Sequence, residues 1–184
     1  MRTKNKKTKN VLLVIDMQND FITGSLGSER ATKIVPNVEK AISLATINES
    51  KIIFTRDTHD KNTYLATNEG KHLPVLHCVK DSVGWNIPTK LTSLVEEPVI
   101  VDKATFGYNN WKNVISSDTD DGSDLNITLI GLCTDICVIS NALILKATFP
   151  EAKISVIENC CAGVSTEGHD AAITTMRSCQ INII

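Results

Sequence analysis

The chain has 184 residues, of which 42% are hydrophobic and 22% are charged, and its formal net charge is −2 at pH 7. This length suits one domain with a sizeable core and is too short for two comfortable ones, and the balanced composition excludes a disordered chain. The near-neutral charge also argues against a nucleic-acid-binding protein, because such proteins usually carry a basic surface.

The first ten residues, MRTKNKKTKN, are basic and predict a flexible, solvated head before a single domain over residues 11–184. The apolar run at residues 11–15 ends at Asp16, so it is too short for a secretory signal, and no stretch approaches membrane-spanning length. The six cysteines are therefore expected to be reduced thiols rather than a disulfide framework. These features predict a cytoplasmic protein that does not associate with a membrane.

Short apolar, β-branched runs alternate with helix-like stretches along the chain. Because the runs lack polar alternation, they predict parallel strands buried between helices on both faces of a sheet. The predicted strands are residues 11–15, 51–55, 98–101, 127–130, 154–157 and 181–184. The predicted helices are residues 34–47, with Pro36 near the first turn, residues 135–148, and roughly residues 168–178. The predicted fold is a three-layer α/β sandwich around a parallel six-stranded sheet.

Three reactive or charged side chains follow predicted strands. Asp16 follows the first strand in VLLVIDMQNDF, Lys103 the third in PVIVDKATFGY, and Cys137 the fourth in ITLIGLCTDICV. Since sites in such sheets lie at the carboxyl ends of the strands, these side chains are expected to converge. A helix start beside Cys137 would favour a thiolate, and its N–H groups could hold an oxyanion. A partly buried Asp16 could accept the thiol proton, and Lys103 would balance the negative charge.

The chain resembles the isochorismatase-like cysteine hydrolases, the superfamily that includes the nicotinamidases. The resemblance covers nearly the whole chain after the basic head and is carried by VIDMQNDF, TRDTH, the HC pair at positions 77–78, DKATFG and GLCTDICV. It implies the strand order 3-2-1-4-5-6 and a catalytic triad of Asp16, Lys103 and Cys137. It also implies a cis peptide bond between Leu132 and Cys133, with an oxyanion hole built from the N–H groups of Cys133 and Cys137.

A cysteine at position 137 makes the chain similar to the amidase branch, because the isochorismatases proper cleave a vinyl ether without a thiol nucleophile. The implied reaction is thiolate attack on an amide, loss of ammonia or an amine, and hydrolysis of the thioester. Nicotinamide is the best single substrate that the resemblance offers. The alternatives are an N-carbamoyl or ureido amidohydrolase, another hydrolase of this superfamily, and a catalytically silent binding protein with this fold. Members commonly form dimers or tetramers, so a homo-oligomer is expected.

A long polar segment, residues 57–85, interrupts the alternation of strands and helices, and loops of this length are usually functional. In nicotinamidases an Asp-x-His pair and a later His bind a divalent metal, and Asp57, His59 and His77 match them. A fourth ligand lies between them in the family, and Glu69 is the best match, with His72 as its competitor. Such ligands suit Zn²⁺, Mn²⁺ or Fe²⁺. No organic cofactor is expected.

The resemblance to nicotinamidases has one departure. They generally carry an aromatic residue a few positions before the metal-binding His, where this chain has Leu73 and Pro74. Aromatic walls for a substrate pocket would then come from other residues, and the candidates are Phe21, Trp85, Phe106 and Tyr108. His169, near the start of the last predicted helix, is interpreted as a surface or capping residue.

Overall fold

A computed structural model describes residues 8–184, so most of the predicted basic head lies outside the described residues. The centre is a six-stranded sheet in which every pair of neighbouring strands is parallel, in the order β3-β2-β1-β4-β5-β6. The strands are β1 (Lys9–Ile15), β2 (Lys51–Asp57), β3 (Val99–Lys103), β4 (Leu125–Leu132), β5 (Lys153–Ala162) and β6 (Asn182–Ile183). The predicted fold class and strand order are confirmed.

Several strands extend beyond the apolar runs that predicted them. β2 continues to Asp57 and β3 to Lys103, and these two final residues are partners in the parallel register. The sequence prediction ends each strand where its apolar run meets charged residues. The hydrogen bonds between neighbouring strands do not depend on side-chain polarity, so the pairing continues through these residues. Asp57 and Lys103 therefore stand side by side at the carboxyl edge of the sheet.

Within the described residues, six α-helices accompany the sheet: α1 (Asn19–Ile22), α2 (Glu29–Ile47), α3 (Asn68–His72), α4 (Thr89–Thr92), α5 (Ile139–Thr148) and α6 (Thr166–Ser178). A π-helical turn over Thr134–Val138 leads directly into α5, so the helix expected from residue 135 begins with a wider turn. None of the helices in residues 8–184 is both long enough and apolar enough to span a bilayer.

The helix α2 begins five residues before its predicted start. The Ser28 hydroxyl accepts a hydrogen bond from the Ala31 N–H at 3.1 Å and caps the helix there. Pro36 consequently lies inside α2 rather than in its first turn, which corrects the prediction. Proline removes one hydrogen bond from a helix interior, and the buried apolar face of α2 compensates for this loss by packing on the sheet.

Alternate residues of β1 belong to two separate cores. Leu13 and Ile15 pack in the cluster that includes α5 and α6, whereas Leu12 and Val14 pack in the cluster that includes α2. Both faces of a central parallel strand must be apolar, which is why β1 reads as an unbroken hydrophobic run. The two cores hold the central strand ends rigidly, and the site described below is built on those ends.

Candidate active site

Asp16, Lys103 and Cys137 meet at the carboxyl edge of the sheet. The Lys103 Nζ lies 2.6 Å from Asp16 Oδ2 and 3.6 Å from Cys137 Sγ. All three are buried, with exposed fractions of 0%, 4% and 5% respectively. The convergence predicted from the strand ends is therefore present.

The backbone of Asp16 adopts a left-handed conformation with φ of 45°, which is uncommon for a residue with a side chain. Thr55 holds it on both sides: the Asp16 N–H donates to Thr55 Oγ1 at 3.0 Å, and that hydroxyl donates to Asp16 Oδ1 at 2.6 Å. Thr55 is fully buried in β2, the strand next to β1. Strained backbone of this kind persists where the surroundings over-determine it, commonly at functional sites.

The charges of the three groups depend on one another. Burial raises the pKa of the Asp16 carboxyl, although the Lys103 ammonium opposes the increase. Burial would lower the pKa of Lys103, but Asp16 and the sulfur of Cys137 outweigh it, so the pKa is raised and the amine stays protonated. Burial and the Asp16 carboxylate raise the pKa of Cys137 well above its ordinary value. Desolvation of the sulfur therefore opposes the thiolate that a helix start would favour.

The loop that carries Cys137 has an unusual backbone. The peptide bond between Leu132 and Cys133 is cis, as the resemblance implies. The Cys133 carbonyl accepts hydrogen bonds from the N–H groups of Ile136, at 3.1 Å, and Val138, at 3.0 Å, which closes the π-helical turn. Cys133 and Cys137, the residues of the predicted oxyanion hole, both line the adjacent cavity.

Beside these groups, four potential metal ligands form a cluster within 4.8 Å of one another, and they are Asp57, His59, Glu69 and His77. Glu69 Oε1 lies 3.6 Å from the Nε2 atoms of both histidines. The short helix α3, capped by the Thr67 hydroxyl, aims Glu69 at the cluster. His72, at the end of the same helix, is exposed and uses Nδ1 on the Asn68 carbonyl. The cluster therefore contains Glu69 and not His72.

The chemistry of this cluster fits a divalent cation. Among residues 8–184, the Asp57 Oδ1 atom is buried without a hydrogen-bond partner, and it lies 3.5 Å from Lys103 Nζ. Burial would raise the pKa of Asp57, but hydrogen bonds with His59 and His77 lower it. Burial lowers the pKa of His77, yet Asp57 and Glu69 outweigh it and raise that pKa to about 10. The buried carboxylate of Asp57 and the half-buried carboxylate of Glu69 thus attract positive charge, and mixed carboxylate and imidazole ligands suit Zn²⁺, Mn²⁺ or Fe²⁺.

A cavity of about 890 Å³ opens over the thiol and the cluster, within the usual size range for small-molecule sites. Phe21 and Phe106 line it, as does Leu73. Trp85 and Tyr108 do not, and this corrects their assignment to the pocket. Trp85 is stacked under the Arg56 guanidinium and donates a hydrogen bond to Thr58, and Tyr108 packs against Trp111.

Three polar residues that the sequence analysis did not single out support the site. Besides Thr55, Gln18 accepts from the Asp57 N–H and donates to the Asp57 carbonyl, so it fixes the end of β2. Asn141 donates to the carbonyls of Cys137 and Phe106 and joins the cysteine loop to the cavity wall. Gln18 follows a strand end in the sequence, a signal that could have identified it. Thr55 and Asn141 lie inside a strand and a helix, where no local pattern marks them.

Comparison with known proteins is consistent with this geometry. The family model described as Isochorismatase domain matches residues 10–184. The nicotinamidase of Saccharomyces cerevisiae is 24% identical over 171 residues, covering 72% of this chain and 79% of that protein. The pyrazinamidase of Pyrococcus horikoshii in complex with zinc has a TM-score of 0.81 and 24% identity, with 96% and 98% of the two chains covered. The N-carbamoylsarcosine amidase of Thermoplasma acidophilum has a TM-score of 0.77 and 22% identity, with 95% of each chain covered.

Proposed function

Because the chain belongs to the isochorismatase family of hydrolases, we propose that it is a cysteine-dependent amidohydrolase that cleaves a small amide through a thioester. The observation that carries the proposal is the buried contact of Lys103 Nζ with both Asp16, at 2.6 Å, and Cys137, at 3.6 Å. A binding protein needs no thiol held against an ion pair at the floor of a cavity. This argues against the catalytically silent alternative.

In the proposed reaction, the Asp16 carboxylate accepts the thiol proton of Cys137 as the sulfur attacks the amide carbon. The N–H groups of Cys133 and Cys137 stabilise the oxyanion that forms on the carbonyl oxygen. Asp16 then returns the proton to the leaving nitrogen, the C–N bond breaks, and ammonia departs. Water attacks the thioester with Asp16 as base, which releases the acid and restores the thiol. Lys103 remains a cation throughout and balances the negative charge.

The cluster of Asp57, His59, Glu69 and His77 would hold the divalent cation, zinc, manganese or iron. A zinc-complexed pyrazinamidase among the structural relatives supports this assignment. When bound, the cation supplies a Lewis-acid binding point for a substrate ring nitrogen or water. The site's own residues carry out the proton transfers, and the cluster orients the substrate over Cys137.

Nicotinamide is the substrate that we favour. The charge of the side chains that line the cavity suits nicotinamide better than ureido compounds that carry a carboxylate. Among the described residues that line the cavity there is no lysine or arginine, while Asp57 and Glu69 contribute carboxylates. A buried substrate carboxylate would have no lysine or arginine as partner and would face the carboxylates of Asp57 and Glu69, which is costly. A neutral amide with a flat apolar body suits the walls formed by Phe21 and Phe106. The fold shared with an N-carbamoylsarcosine amidase keeps carbamoyl amides as the second candidate.

We propose that the enzyme works in the cytoplasm, where thiols stay reduced, since all six cysteines are free. A homo-oligomeric state stays a prediction from the family resemblance. Light scattering on the purified protein would test it directly.

The test of function is ammonia release from nicotinamide by the purified protein with added Zn²⁺, Mn²⁺ or Fe²⁺. We expect Cys137→Ala to reduce kcat by at least about 10³-fold, since the nucleophile is lost. Cys160→Ala is the matched control, because Cys160 is buried on the opposite side of the sheet from Cys137, in the other core. Undiminished release by Cys137→Ala would refute the cysteine mechanism. No release with any metal would reject nicotinamide, and carbamoyl and ureido compounds would be assayed next.

A further inference from the structure

A histidine from the last helix contacts the turn that carries Cys137. His169 Nδ1 lies 2.9 Å from the hydroxyl of Thr134, so one of the two donates a hydrogen bond to the other. Thr134 is fully buried and is the first residue of the π-helical turn. The His169 side chain is mostly covered, with 17% exposed, and its Nε2 lies 3.9 Å from Glu158. His169 is therefore not the surface or capping residue expected from the sequence.

Further contacts join the start of α6 and the segment just before it to the same turn. The Asp135 carboxylate accepts the Val164 N–H, with oxygen distances of 3.0 and 3.2 Å. Gly168 packs so closely that a Cβ atom there would lie 2.3 Å from Asp135 Oδ2. Ser165 caps α6 by accepting the Gly168 N–H at 2.9 Å, which sets where the helix begins. The start of α6 thus packs closely against the turn that carries Cys137. These contacts fix the position of His169 on α6 relative to Thr134.

We propose that His169 is a positioning residue that acts through Thr134 on the turn bearing Cys137 and the oxyanion N–H groups. The inference rests on the proposed amide hydrolysis. Oxyanion donors must lie about 2.7–3.1 Å from the developing charge, and small displacements of such groups reduce rates strongly. A hydrogen bond at the first residue of the turn restrains the N–H groups on either side of it, that of Cys133 before Thr134 and that of Cys137 after it. The effect falls on the chemical step rather than on substrate binding.

The first test compares three variants of the whole protein in the ammonia-release assay. His169→Phe keeps a ring but removes both nitrogens, and we expect kcat to fall about tenfold, as for one lost hydrogen bond, with KM changed less than about threefold. His169→Asn places an amide near the Nδ1 position and should recover most of kcat. Asp170→Ala, at the next and exposed position of α6, is the control with wild-type kcat. Wild-type kcat in His169→Phe would overturn the proposal.

The second test asks whether the two residues act as one unit. Thr134→Val should lower kcat about as much as His169→Phe, and the double variant should be no slower than the slower single variant, because both remove one hydrogen bond. Losses that multiply in the double variant would overturn the proposal. A purely structural role would lower the melting temperature of each variant but leave kcat per folded molecule unchanged, and this outcome would also overturn it.

Hydrogen exchange separates failure of this inference from failure of the proposed function. If the wild-type protein releases no ammonia from any amide, the amidase proposal fails, and exchange in the peptide over residues 133–138 still reports on the contact. We expect faster exchange there in His169→Phe and Thr134→Val, and unchanged exchange in β2. An active wild type whose variants keep both kcat and exchange rates would refute the positioning role alone.

Discussion

At the scale of single residues, the buried ammonium group of Lys103 lies close to two carboxylates and a thiol. Lys103 Nζ lies 2.6 Å from Asp16, 3.5 Å from Asp57 and 3.6 Å from Cys137. Ions in the solvent screen this ammonium only weakly, because the exposed fraction of Lys103 is only 4%. The ammonium of Lys103 offsets part of the free-energy cost of burying an ionised Asp16 carboxylate. Asp16 can therefore act as the base that the proposed mechanism requires.

The protonation of Cys137 gives a prediction at this scale. The Asp16 carboxylate raises the pKa of the thiol, so Asp16→Asn should lower that pKa even as it abolishes amide hydrolysis. We expect the rate of iodoacetamide alkylation at Cys137 in the wild type to rise with pH only above the ordinary cysteine pKa of about 8.5. In Asp16→Asn the rise should come at lower pH. The measurement is mass-spectrometric labelling of Cys137 against pH.

Cys160→Ala serves as the control for this labelling, since it removes a competing thiol outside the site. A rise in alkylation at the same or higher pH in Asp16→Asn would contradict the electrostatic role assigned to the carboxylate.

At the scale of elements, the segment between β2 and α4 brings the ligand cluster together. It contributes His59 two residues after the end of β2, Glu69 from α3 and His77 from the loop that follows. A parallel bridge between His59 and Val79 closes the segment on itself. Tyr64 fixes the imidazoles, with ring centroids 4.6 Å from His59 and 5.2 Å from His77. A long polar loop thereby becomes an ordered wall of the cavity.

The fourth ligand is the subject of a second prediction. We expect Glu69→Ala to weaken Zn²⁺ binding at least about tenfold, because it removes a carboxylate that lies 3.6 Å from both imidazoles. His72→Ala, three residues away on the same helix, should change the affinity less than about twofold. Isothermal titration calorimetry with the metal-free protein makes the comparison. Greater loss in His72→Ala would assign that histidine as the ligand.

The ends of β1 and β4 supply a third prediction. Gly131 has φ of 120°, and a Cβ atom there would lie 2.1 Å from the Ile15 carbonyl oxygen. We expect Gly131→Ala to lower the free energy of unfolding by about 2–4 kcal/mol, through strained backbone and a clash with β1. Thr128→Ala, on the same strand and half-buried, should cost less than about 1 kcal/mol. Urea denaturation measures both, and equal losses would contradict the argument.

At the scale of the whole molecule, the order of the strands brings residues that are far apart in the sequence into one site. The order β3-β2-β1-β4 places the ends of four adjacent strands over the cavity, and the two cores keep those ends in register. Asp16, Asp57, Lys103 and the cysteine loop each come from one of these ends. The cavity that results has acidic and imidazole groups on its polar side and apolar walls elsewhere.

The charge of that cavity gives a prediction for the molecule as a whole. We expect neutral amides to bind better than anionic ones, because no lysine or arginine is among the described residues that line the cavity. 4-Carbamoylbenzoate and its methyl ester differ mainly in charge, and the ester should inhibit formation of nicotinate from nicotinamide with a Ki at least about tenfold lower. Inhibition constants for the pair provide the measurement. Tighter binding of the acid would favour the carboxylate-bearing substrates.

Much of this architecture follows from the sequence alone. Unbroken apolar runs followed by helical spacing determined a parallel sheet between helices, because both faces of its central strands must be buried. That topology, in turn, required Asp16, Lys103 and Cys137 to meet, since parallel strands end at one edge. The order of the strands and the cis bond before Cys133 came from the motifs shared with the isochorismatase family.

Only the tertiary structure decided the features that depend on distances between separate segments. It placed Glu69 rather than His72 in the ligand cluster, and it turned Trp85 and Tyr108 away from the cavity. It also brought His169 to Thr134, 35 residues away. Sequence patterns report local periodicity, whereas desolvation and contact arise from packing between segments that are remote in the chain. For the same reason, the raised pKa of the Cys137 thiol follows from its burial and not from its position at the start of a helix.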